Sequence, residues 1–182
     1  RLRRANHLLR REVERASGEH PIVAASEPMI EVLEVMERAE APLSNLLRDS
    51  DQRVIPAVLD ALAKVGATTA IPEMRARLKA DDQVVRAAAA RALATLKASD
   101  STAALADALA LSQRDGLYVA RAAALDALTA LDPAAARPLL VAALGDKDWA
   151  VRLRAAEHLR KLDPAADVSA MRPAPPPISE LA

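Results

Sequence analysis

Four stretches of this chain can be written one beneath another. Residues 54–65, 85–96, 120–131 and 151–162 each carry an apolar residue at the first position, at +8 and at +11, with small or apolar residues at +4 and +5. These offsets follow one face of an α-helix, because side chains three and four residues apart lie along the same stripe. The anchors Val54, Val85, Ala120 and Val151 are 31, 35 and 31 residues apart. Ahead of each anchor lies a second apolar helical stretch, with Leu43, Leu46 and Leu47, then Ile71, Met74 and Leu78, then Leu105 and Leu109, then Leu139, Leu140 and Leu144. The repeated unit is therefore a helical hairpin. A hairpin of that size cannot bury its apolar faces alone, so the units must stack, and the chain is predicted to be an all-α solenoid of four to five hairpins.

The punctuation agrees with the period. In three units an Asp stands three residues before the anchor (Asp51, Asp82, Asp148) and a Leu stands seven before it (Leu47, Leu78, Leu144). An Asp there can accept hydrogen bonds from the free N–H groups that open the second helix. Pro42, Pro72 and Pro138 fall near the starts of first helices, and Pro56 fits the first turn of a second helix, where the missing N–H is tolerated. Pro133 and Pro164 mark where the preceding helices should stop. The third unit carries four extra residues within 111–117, an insertion expected at an edge of the stack, with Gly116 allowing a turn.

Residues 41–163 are thus expected to form four hairpins (41–66, 69–97, 101–131 and 133–163). Residues 1–40 read as capping helices or a degenerate first repeat, in which 28–38 is a second helix with Leu33 and Met36 at +8 and +11 of Ala25. Residues 164–182 read as a Pro-rich linker. Because Arg1 is not an initiator and a spacer normally leads somewhere, the chain is expected to be a piece of a longer protein.

Composition narrows the chemistry. There is no cysteine, hence no thiol nucleophile, disulfide or thiolate metal site. Lys and Arg number 25 against 25 Asp and Glu, so no global charge draws the chain to phosphate or to anionic lipid. No apolar run approaches the roughly 20 residues that span a bilayer, so a soluble chain is predicted, in cytoplasm or periplasm alike. Aromatics are 1% of residues and alanine is the most frequent. Alanine favours helix and lets helices approach closely, which implies thin layers with little room for a deep pocket.

The pattern Asp-x-x-Val-Arg-x-x-Ala-Ala-x-x-Leu, seen from Asp82 through Val85 and Arg86 to Leu93 and from Asp148 through Val151 and Arg152 to Leu159, resembles HEAT repeats. The short period is similar to that of the HEAT-like form found in phycobilin lyases. The resemblance implies a right-handed superhelix, and a ladder in which the turn acids Asp51, Asp82 and Asp148 pair with Arg86, Arg121 and Arg152 along the stack. Ile55 departs from the arginine position, and Leu117 occupies the acid position of the third unit.

Catalytic and metal chemistry find little support. His7, His20 and His158 are too far apart in sequence to share a helix face, and the His-Glu dipeptides of iron-binding helical repeats are absent, so no metal or other cofactor is expected. The four glycines are scattered and form no phosphate loop, and the Ser and Thr residues cluster in turns, so no catalytic residue is assigned. Resemblance to DNA-binding HEAT-like enzymes would need a basic concave face. Position +6 of the second helices instead reads Asp60, Arg91, Asp126 and Glu157, and the N-terminal arginines are interleaved with Glu12 and Glu14, so nucleic acid is not expected.

The two aromatics provide the candidate site. Tyr118 and Trp149 both stand two residues before an anchor, where the preceding units place Gln52 and Gln83. Stacking should align Gln52, Gln83, Tyr118 and Trp149 along one edge, either covering joints between small-residue helices or contacting a partner. The expected function is a non-catalytic scaffold that binds a protein or peptide on its concave face or edge. The alternative is a substrate-recruiting module of a bacterial peptidyl-prolyl isomerase whose catalytic domain lies outside this chain, since the exit sequence 162–167 and the Pro-rich spacer resemble such a junction.

Overall fold

In a computed structural model the chain divides into two units, residues 1–42 and 43–182. The structure describes residues 43–47 and 52–171, all in the second unit. The expectations for residues 1–40, Pro42 and Asp51 fall outside the described residues, as does the Pro-rich stretch from residue 172 onward.

Residues 43–46 are helical and precede α1 (Ile55–Lys64). The hairpins that follow are α2 (Ile71–Arg77) with α3 (Gln83–Thr95), α4 (Thr102–Leu111) with α5 (Val119–Leu131), and α6 (Pro133–Ala143) with α7 (Trp149–Leu162). The described residues form an all-helical α-solenoid without strands.

Local chemistry sets the helix boundaries. Asp82 and Asp148 have extended backbone geometry, and their side chains accept hydrogen bonds from the N–H groups of Val84 (2.6 Å) and Ala150 (2.9 Å). They cap α3 and α7. At the other end, α1 and α3 close in the same left-handed turn. Gly66 (φ 75°) and Lys97 (φ 54°) follow the last turns, with Ala67 N–H donating to the Leu62 carbonyl and Ala98 N–H to the Leu93 carbonyl. Asp132 terminates α5 and caps α6 through the N–H of Ala135, so one residue joins the third repeat to the fourth.

Two proline expectations divide. Pro56 and Pro72 lie in the first turns of α1 and α2. Pro138 does not open a first helix. Pro133 opens α6 instead, and Pro138 falls in its interior, on an exposed face. Because Asp132 supplies the cap, the helix starts five residues earlier than Pro138 alone suggests.

The periodic face forms the core. At +4, +5 and +8 stand Val58, Leu59 and Leu62, then Ala89, Ala90 and Leu93, then Ala124, Leu125 and Leu128, then Ala155, Ala156 and Leu159, and all are buried. Leu47, Leu78 and Leu144, seven before the anchors, are buried as well. Among the anchors Val54 is the exception at 40% exposure, because α1 begins only at Ile55 and leaves Val54 outside the helical stripe. The +11 residues Val65, Leu96 and Leu131 are half-buried, while Leu162 is exposed. Second helices pack in a row, with α1 against α3 and α3 closely against α5, whereas first helices meet one another only marginally among the described residues. Buried alanine accompanies the closest of these contacts. Ala87–Ala90 on α3 and Ala122–Ala124 on α5 are buried, and small side chains let the backbones approach so that many small dispersion contacts accumulate. Beyond α7 the chain still packs, since Ala166, Val168 and Met171 lie against the core. The first residues of the stretch read as a linker, 164–171, thus include three that lie against the fold.

Candidate functional site

The N-terminal ends of the second helices are held by three buried arginines. Arg86, Arg121 and Arg152 are 1%, 0% and 4% exposed. Each turns back to the loop before its own helix. Arg86 donates to the carbonyls of Ala80 and Asp81, Arg121 to those of Ser112, Asp115 and Leu117, and Arg152 to those of Asp146 and Lys147. These guanidiniums tie the turn after the first helix to the start of the second.

Two of them also reach the next repeat, and here the expected ladder is corrected. Arg86 pairs with Asp115, and Arg121 lies 3.0 Å from Asp146. Asp82 and Asp148 are not the partners, because their carboxylates are turned onto their own helix N-termini as caps. The acid that reaches across sits two residues earlier, five before the anchor. The four-residue insertion consequently carries the ladder instead of interrupting it: a short 3-10 turn, Ser112–Arg114, delivers Asp115, and the buried Ser112 hydroxyl accepts from Arg86 Nε at 3.3 Å. Ile55, buried at the arginine position of α1, supplies no guanidinium, and Arg77 of α2 donates to the Leu47 carbonyl in the turn before it.

These cross-repeat ties place the second-helix starts along one edge. Lys147 Nζ adds to them, donating to the carbonyls of Gln113 (2.9 Å) and Asp115 (2.6 Å). On this edge Gln52 is exposed, Gln83 is half-buried, and Tyr118 and Trp149 are 39% and 52% exposed. Both rings present much of their surface to solvent. Val84 (47%) and Leu117 (57%) join them. Sequence reasoning missed these two, although apolar residues one and three before an anchor, off the buried stripe, were a visible signal.

Between the second and third repeats the edge opens into a shallow cleft of about 540 Å³, lined by Asp81, Asp82, Gln83, Val84, Asp115 and Gly116. Its polar lining consists largely of acceptors. Gln83 Oε1 is buried and no protein donor reaches it. The backbone at Gly116 is outside the left-handed region, and a Cβ there would meet nothing within 4 Å, so the turn does not require glycine.

The +6 ridge differs electrostatically from its sequence. Asp60 pairs with Lys64, while Asp126 receives both Arg154 and, at 2.7 Å, His158 Nε2 from the next repeat. The ridge acids are thus largely compensated, which weakens the expected repulsion of phosphate. His158 is an inter-repeat contact at 18% side-chain exposure, not a solvent-facing or capping residue. His7 and His20 lie outside the described residues. Among the described residues no group of three His, Cys, Asp or Glu is placed to hold a metal ion, and no helix is long and apolar enough to cross a membrane.

Stacked hairpins with buried arginine ties define an α-solenoid of short helical repeats. The family model for HEAT repeats matches residues 39–117 and 110–174. This chain belongs to the HEAT-repeat family. Comparison with curated proteins and with solved structures gave no match.

Proposed function

We propose that this segment is a non-catalytic scaffold that binds a protein or peptide along the edge formed by Gln52, Gln83, Tyr118 and Trp149. HEAT repeats are commonly protein-interaction scaffolds. The observation that supports this edge is the exposure of Val84, Leu117, Tyr118 and Trp149 near the starts of three successive second helices, where four of the nine exposed large apolar side chains among the described residues gather. Aromatic rings with polar tips are favoured anchors at interfaces because they supply contact area at low conformational cost.

The test is photo-crosslinking from position 84 or 117 in the full chain to identify a partner, followed by affinity measurements with Trp149→Ala and Tyr118→Ala. Loss of one anchor should weaken binding by about tenfold or more. Crosslinks confined to another face, or affinity unchanged by both substitutions, would overturn the reading.

A further inference from the structure

The exposed edge is not uniformly apolar. Val84 lines, and Leu117 and Tyr118 follow in sequence from, a cleft whose wall holds three carboxylates, those of Asp81, Asp82 and Asp115, against two cations, the buried Arg86 paired with Asp115 and Lys147 on the Asp115 carbonyl. Arg86 is saturated by the carbonyls of Ala80 and Asp81, the Ser112 hydroxyl and Asp115. Lys147 is committed to the carbonyls of Gln113 and Asp115, and Arg53 is likewise engaged. The Asp81 carboxylate is exposed and forms no ion pair among the described residues, and Asp82 uses one oxygen on Val84 N–H. The cleft therefore keeps the Asp81 carboxylate and one oxygen of Asp82 open to a donor, its carboxylates outnumber its cations, and apolar side chains border it on the same edge.

Resting on the edge proposed above, we infer that its partner is a peptide segment in which an arginine or lysine adjoins apolar residues, the cation entering the cleft between the second and third repeats while the apolar side chains lie on Val84, Leu117 and Tyr118. A guanidinium suits this geometry, having several donors in one plane for acceptors on two walls. Complementary charge fixes register and speeds encounter, and the apolar contacts supply most of the affinity.

The test is selection of a phage-displayed random peptide library on the immobilised full chain, with selected peptides then titrated against variants. Selected sequences should be enriched in Arg or Lys beside apolar residues. Asp81→Lys should weaken them by about tenfold or more. Gly116→Lys, which places a cation in the cleft where a side chain meets no neighbour, should block them with helicity and melting temperature retained. If selected peptides lack basic residues, or bind both variants as they bind the parent chain, the inference is overturned. If those peptides still lose affinity with Trp149→Ala, the edge survives as an interface and only the partner's chemistry is wrong. If no peptide is selected, or none responds to any edge substitution, both readings fall.

Discussion

Arg121 of α5 and Asp146, in the turn before α7, lie 3.0 Å apart with side chains 0% and 2% exposed. The contact is an ion pair more than a hydrogen bond, since Arg121 Nε and Nη2 have no aligned acceptor. A charge pair removed from water is costly to form, and costlier to leave half-made.

Asp146→Ala should therefore destabilise the chain by about 3–5 kcal/mol, because it strands a fully buried guanidinium. The measurement is the urea unfolding midpoint. A shift below about 1 kcal/mol would mean that the Ser112, Asp115 and Leu117 carbonyls suffice for Arg121.

The acids three and five residues before an anchor should separate in the same assay. Asp82→Ala removes a helix cap and should cost about 1 kcal/mol. Asp115→Ala unpairs Arg86 and should cost about 3–5 kcal/mol. Equal costs would contradict the assignment of ladder and cap to different carboxylates.

Lys97 occupies the left-handed position that Gly66 occupies one repeat earlier. Lys97→Gly should stabilise by roughly 0.5–1 kcal/mol by relieving the Cβ clash, less glycine's extra entropy loss. Gly66→Ala should destabilise by about 1 kcal/mol. Thermal unfolding of the two variants should shift the melting temperature in opposite directions.

A pH dependence follows from Asp163, which joins the end of α7 to α6. The Arg137 guanidinium, donating at 2.9 Å, and the N–H of Ala165 hold its carboxyl below the ordinary 3.8. A depressed folded-state pKa means that its stabilisation is present above pH 3.8 and is lost as pH falls through the lower folded value. Asp163→Asn should accordingly lower the urea midpoint at neutral pH, and the two curves should converge at the acid end. Parallel curves throughout would show that Asp163 is not linked to acid unfolding.

Much of the architecture was legible in the sequence. Helical content, the hairpin register, the buried stripe at +4, +5 and +8, and the caps at Asp82 and Asp148 all depend on interactions within one helix, over three or four residues. Val54 and Pro138 departed from that reading where a neighbouring residue, Pro56 or Asp132, moved a helix start. Such shifts alter no period, so periodicity does not register them.

What only the tertiary structure decided lies between repeats. Arg86 pairs with Asp115 and Arg121 with Asp146 because the hairpin turns set which carboxylate faces across the stack, and a change of two residues in such a turn redirects the side chain without disturbing any apolar pattern. Asp126 meets Arg154 and His158 for the same reason, turning an apparently acidic ridge into a compensated one. The equivalence of Tyr118 and Trp149 was written in the register of the repeats. Their exposure was not, since it depends on how closely the helices pack and on what the four inserted residues leave uncovered.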